Sequence, residues 1–183
     1  MRITLLIFIA SLSFTCEPNG DKEQIERQIK GFLAWYSGNW DNLRSLIDAM
    51  IDNSMIDTPD STKVYKVDFQ KAEIYLSRFK QSGFISETYL NNYRDYFKAS
   101  ELNFERIKQY MGPPIGFDYD FVFRGNMFEE ELKNPDKAQL TDVVIEKEKA
   151  KVTITFDYHG YYIYKLTKVK NVWLIDEIRG KGE

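Results

Sequence analysis

The sequence predicts an α+β domain, a roll or split α/β sandwich in which N-terminal helices cover one face of a C-terminal curved antiparallel sheet. Two observations carry this. Apolar residues recur at helical spacing up to about residue 110, and the period falls to two after residue 115. The strand-like runs that follow are separated by links of two residues, which join antiparallel neighbours into a four-stranded meander. The 13 Phe and 12 Tyr supply enough ring area for a core, and a single cysteine excludes an intrachain disulfide.

Residues 1–15 have the three-part form of a signal peptide: Arg2, an apolar run from Ile3 to Leu12, then small residues around Phe14. The run is about half the roughly 20 residues that a spanning helix needs. Cys16 follows at the change to a polar stretch. It resembles the lipobox cysteine of bacterial lipoproteins, with Ser13 and Thr15 at the positions that flank it there. That resemblance implies acylation of Cys16 (palmitate among the chains), a tether over 16–22, and a single domain over 23–183. The expected location is the cell envelope, as an outer-membrane lipoprotein facing the periplasm or the surface.

Asp21 and Gln24 form a capping box for a first helix. Ile25, Ile29, Phe32 and Tyr36 make its stripe, and Gly38 is its stop. Asp41 caps a second helix with Leu43, Leu46, Ile47, Met50 and Ile51 inward, and 52–62 is a loop rich in turn residues. Asp68 caps a third, with Phe69, Ala72, Leu76 and Phe79 inward and Gly83 ending it. Ser86 starts a fourth, carrying Tyr89, Leu90, Tyr93 and Phe97, until Gly112, Pro113 and Pro114 break it.

Strands are expected at 139–147, 150–158, 161–169 and 172–179, linked by Glu148–Lys149, His159–Gly160 and Lys170–Asn171. With those turns, Val143 faces Ile154, Ile145 faces Val152, Phe156 faces Ile163, and Ile163 faces Ile178, all on one side. The other side carries Asp157, Tyr162, Tyr164, Leu166, Trp173 and Ile175, while Lys165 stands opposite Asp176 on the first, otherwise apolar side.

The segments GPPIGFDYDFVFRGN (112–126) and NVWLIDEI (171–178), with the leader and the helix-then-meander order, resemble a bacterial lipoprotein family known as domain of unknown function 3828. The resemblance implies a cystatin-like, nuclear-transport-factor-like fold, whose cavity often holds small molecules. It implies no reaction, since fold alone does not assign function.

The chemistry legible in the residues is sparse. The net charge of −3, with no basic block, excludes nucleic acid as an expected partner. One histidine and one cysteine, without metal-ligand spacing, leave no expected metal or cofactor. His159 and Asp157 are weighed as a carboxylate–imidazole pair against an exposed turn. Asp118 and Asp120 are read as turn-capping carboxylates or, on one face, as ligands to a hard cation. Lys165 and Asp176 form the best constellation, an ion pair that lines a pocket or ties a sheet margin. Tyr164, with Tyr158, Tyr161 and Tyr162, offers rings to a glycan or to cross-strand packing. The expected role is a non-enzymatic binding or accessory module for a small molecule, a glycan or a protein, held at the membrane by its lipid. The alternative is an enzyme for proton transfer or hydration–dehydration, with Asp176 as base and a tyrosine as donor.

Overall fold

The computed structural model describes residues 18–52, 64–125, 128–157 and 161–180. The architecture is the expected α+β one, with helices first and a four-stranded antiparallel sheet last. Cys16 and the expected leader over 1–15 lie outside the described residues, as do most of the expected 52–62 loop and Tyr158, His159 and Gly160. No helix among the described residues is long and apolar enough to cross a membrane.

The first two expected helices are one, α1 (Pro18–Met50), which runs through Gly38 without a break. The apolar positions explain why. Ile25, Ile29, Phe32, Tyr36, Leu43, Ile47 and Met50 are buried, and steps of three, four or seven keep them on one continuous stripe. A glycine inside a helix costs about 1 kcal/mol. Each large apolar side chain buried beyond it returns about 1.5–3 kcal/mol, so continuity wins. At its start Asp21 accepts from Lys168 Nζ at 2.5 Å and from Trp173 Nε1 at 3.2 Å. This fastens the first turn to the last hairpin of the sheet.

After α1, β1 (Ile51–Asp52) pairs with β2 (Lys66–Val67). Helix α2 (Phe69–Ser82) is capped by Asp68, which accepts from the Gln70 and Lys71 amides, and ends at Gly83, whose φ of 76° only a residue without Cβ adopts readily. Ala72, Tyr75, Leu76 and Phe79 are buried, but Phe69 at the first helical position is 43% exposed rather than inward. Helix α3 (Glu87–Ile107) is capped by Ser86 and buries Tyr89, Leu90, Tyr93, Phe97 and Phe104. Residues 115–125, within the stretch read as having a period of two, form turns, and a short α4 (Glu129–Lys133) precedes the sheet.

Strands β3 (Gln139–Glu146), β4 (Lys149–Thr155), β5 (Tyr161–Val169) and β6 (Val172–Arg179) pair in chain order. The registers differ from the expected ones. The first turn is Lys147–Glu148, so Val143 faces Val152 and Ile145 faces Ala150. Between β4 and β5, Ile154 faces Tyr162 and Val152 faces Tyr164, an offset of odd length that turns Ile163 to the outer face. The Lys170–Asn171 turn stands as expected, with φ of 49° and 65° at its two central residues. The core face therefore carries Val152, Ile154, Tyr162, Tyr164, Leu166, Trp173, Ile175 and Ile178, all buried.

Helices α1 and α3 close that face, and rings fill the space between. Phe79 lies 4.9 Å from Tyr75 and 5.3 Å from Trp35, Tyr93 lies 5.4 Å from Phe121, and Phe123 lies 5.9 Å from Tyr162, measured between ring centroids. The core face of this sheet is packed with aromatic side chains.

Candidate functional site

The site is built by an irregularity in β6. Its core positions are Trp173, Ile175 and Ile178, spaced by two and then by three. The extra residue breaks the ladder: Leu166 faces Ile175, Lys165 faces Glu177, and Asp176 is left over between them. A bulge of this kind bends its strand and re-aims a side chain. The opposite edge of β6 is bridged just before it. Ile175 accepts from Ser86 N at 3.0 Å and donates to Phe84 O at 2.9 Å, a parallel bridge to the α2–α3 link. At Asp176 that bridge stops, and Asn92 of α3 reaches the Asp176 carbonyl with Nδ2 at 3.4 Å. The strand bends while the helix continues, and two concavities open along the seam.

The larger, about 530 Å³, lies over the outer face of the sheet and is bordered by Thr88, Asn92, Val144, Lys151, Lys165 and Asp176. The smaller, about 340 Å³, lies on the α3 side and is bordered by Tyr93, Tyr96, Arg124, Ile178 and Arg179. Asn92, Asp176 and Glu177 belong to both and form the ridge between them.

The expected ion pair between Lys165 and Asp176 is not formed. Because of the bulge, Lys165 pairs with Glu177 at 2.6 Å, and Arg179 holds the same carboxylate at 2.6 Å. The two cations hold the Glu177 carboxyl below the usual carboxylate range, against the opposing effect of its partial burial. Asp176 accepts instead from the Thr167 hydroxyl and, at 3.4 Å, from Lys149, both on Oδ2. Its residue is 7% exposed, and Oδ1, fully buried, has no hydrogen-bond partner. A buried carboxylate oxygen without a donor costs free energy that the bulge does not recover within the chain.

Asp120 is the opposite case. It is 5% exposed and takes four donors: the amides of Val122 and Phe123, each at 2.8 Å on Oδ1, with Tyr36 Oη at 2.7 Å and Trp40 Nε1 at 3.0 Å on Oδ2. It binds the 117–125 turn to two successive turns of α1. Burial, and then the neighbouring Asp120 carboxylate, push the Tyr36 phenol well above its ordinary value. Asp118 lies elsewhere: it is exposed, beside Arg44, Tyr65 and Pro114 at a separate recess of about 310 Å³, so the two aspartates do not converge. Tyr164 is 1% exposed in the core, where burial raises its phenol. Of the residues singled out from the sequence, the structure thus brings Lys165 and Asp176 to one concavity and leaves Asp118, Asp120 and Tyr164 away from it. Among the described residues no cluster of side chains is set to hold a metal ion.

Sequence reasoning missed Lys149, Lys151 and Asn92. Lys149 was assigned to the Glu148–Lys149 link, so the alternation that puts it on one face with Lys151 came into view only with the observed strand from Lys149 to Thr155. Asn92 needed the bend of β6, for which the spacing 173–175–178 was the sign. No family model, curated protein or solved structure matches the chain.

Proposed function

We propose that this chain is an exported envelope lipoprotein, held at the outer membrane through Cys16, whose domain is a non-enzymatic binding module with its ligand site on the α3–β6 seam. Membership of the lipoprotein family of domain of unknown function 3828 is part of this reading. The leader ending at Cys16 supports the location. The observation that carries the binding role is Asp176: a buried carboxylate with one oxygen unpartnered, placed by a strand bulge on the ridge between two concavities. Polar groups converging on a preformed recess are the usual make-up of a ligand site.

The enzymatic alternative is supported less: Tyr89, Tyr93 and Tyr96 border the smaller concavity with Asp176, but none of them hydrogen-bonds its carboxylate. A base working with a phenol needs a hydroxyl within hydrogen-bond reach of the substrate recess. The hydrogen-bonding partners of the Asp176 carboxylate are Thr167 and Lys149, and the core face of the sheet is filled by rings.

Two experiments test the two halves of the proposal. Labelled palmitate should enter the wild-type chain in cells and not Cys16→Ala, with wild type in the membrane fraction; an unlabelled wild-type chain in the cytosol overturns the location. A small-fragment screen by amide NMR should move the signals of Asn92, Asp176 and Glu177 together; fragments clustering elsewhere overturn the site.

A further inference from the structure

We infer that the free edge of β3 takes up an extended peptide segment of a partner protein, one that is apolar at alternate positions and basic where it meets Asp142 and Glu146. This goes beyond the site on the α3–β6 seam and does not depend on it.

The first observation is the edge itself. The sheet has two margins, and they differ. The outer edge of β6 is bridged to the α2–α3 link at Ile175. β3 forms the other margin, with β4 as its one ladder partner. Alternate residues of an outermost strand turn their N–H and C=O groups away from the sheet. Among the described residues, no segment besides β4 bonds to the backbone of Asp142–Glu146. Natural edges are shielded by bulges, prolines or inward charges. β3 has a bulge between Leu140 and Asp142, and beyond it Asp142–Glu146 runs in unbroken register. That stretch holds no proline, and its two charges lie on the outer face with Val144.

The second observation is the apolar margin beneath the edge. Val143 and Ile145 pack against the core but stay half-buried, while Val152 and Ala150 opposite them are 0% and 6% exposed. A strand added beside β3 covers these exposed flanks, so apolar residues at its inward positions gain burial.

The third observation selects the partner by charge. Asp142 stands opposite Thr153. Glu146 stands opposite Lys149, whose ammonium turns away to Thr167 and Asp176. Both acids are exposed, and among the described residues neither has an ion pair. A second copy of this chain fits badly. Antiparallel self-pairing over the whole regular stretch sets Asp142 against Glu146 twice, and like charges opposite one another are destabilising. A strand with lysine or arginine at those two places reverses the sign. Main-chain bonds then give the affinity, and the alternating side chains give the choice of partner.

The test uses the full-length protein in detergent, amide NMR and three synthetic peptides. TKVTIKT places its lysines opposite Glu146 and Asp142 and its valine and isoleucine inward. TEVTIET reverses the charges. TKPPIKT has two adjacent prolines, one of which removes a donor that faces β3. TKVTIKT should shift the signals of Asp142–Glu146 as a group and slow their hydrogen exchange. The other two peptides should bind about tenfold or more weakly. The double variant Asp142→Lys with Glu146→Lys should prefer TEVTIET, with its melting temperature unchanged. Shifts centred on Asn92 and Asp176 instead overturn the edge. TKPPIKT binding as tightly as TKVTIKT overturns strand addition, and TEVTIET doing so overturns the role of the two acids. A wild-type dimer in sedimentation, with the same amides protected and no peptide added, makes a second copy the occupant and overturns the partner. Silence towards TKVTIKT overturns the inference, while the fragment screen decides the seam separately.

Discussion

Asp120 and Asp176 are both buried carboxylates in a chain where most charge is exposed, yet their surroundings differ in kind. Asp120 has every face occupied by donors from its own chain, two from the turn that it begins and two from α1. Asp176 has one oxygen supplied and one bare. A carboxylate that its own chain satisfies fully is a fastening. One that the chain buries and leaves short of a donor stores a cost, and such costs persist where something outside the chain offsets them. The backbone makes the same distinction. Asp120 sits in turns closed by their own hydrogen bonds, the Arg124 amide to the Asp120 carbonyl at 2.8 Å among them, whereas Asp176 is the extra residue of an interrupted ladder.

The largest expected effect is at the fastening. Asp120→Ala strands four donors, two of them backbone amides, and should lower the unfolding free energy by about 4 kcal/mol in urea melts. A loss below about 1 kcal/mol breaks the comparison at its stronger end.

Next comes pH. Burial pushes the phenol of Tyr93, which donates to the Phe121 carbonyl at 2.9 Å, up to about 12. Burial also pushes Tyr36, Tyr75 and Tyr89 well above 10. A raised folded value means that the folded protein holds the proton more tightly than the unfolded chain. The stability is therefore complete below about pH 10 and lost as pH rises towards 12, with about 3 kcal/mol at stake for Tyr93 alone. Absorbance at 295 nm should show these phenols ionising together with unfolding. Early ionisation in the folded state would mean that the rings around Asp120 are open to water.

Gly116 sharpens the boundary between the two regions. Its φ is 89°, its carbonyl accepts from Tyr96 Oη at 2.6 Å, and a Cβ there meets that same hydroxyl. Gly116→Ala should cost about 2 kcal/mol in thermal melts. It should also disturb the smaller concavity, which Tyr96 borders. An unchanged melting temperature would contradict the tight fit at Tyr96.

The smallest expected effect is at Lys149, 69% exposed and 3.4 Å from Asp176. Lys149→Ala should change stability by no more than about 0.5 kcal/mol. A larger loss would make Asp176 half of an internal ion pair and weaken its contrast with Asp120.

The fold was legible because period and link length are local properties. Asp68, Gly83 and Ser86 mark α2 and α3 in the sequence as they do in the structure, and the last two strands hold their expected bounds. Gly38 misled because a helix breaker is judged locally, while the stripe from Ile25 to Met50 is stabilised by tertiary burial. Register was less legible, since strand pairing is set by turns and bulges of single residues. The shift at Asp176 moved Lys165 from Asp176 to Glu177 and put Trp173, Ile175 and Ile178 on one face. Asp176 was found from the sequence for its charge in an apolar strand. Its partners were not, because the bulge chooses them. Asp120 was equally visible, but only the fold brings Tyr36 and Trp40 across from α1 to occupy it.

The contrast is tested most directly by making the same change at both carboxylates and measuring unfolding in urea side by side. Asp120→Asn should lose at least about 2 kcal/mol more than Asp176→Asn, whose own loss should stay within about 1 kcal/mol. Equal losses at the two positions would make Asp176 a second fastening and remove the ground for a ligand site at the bulge.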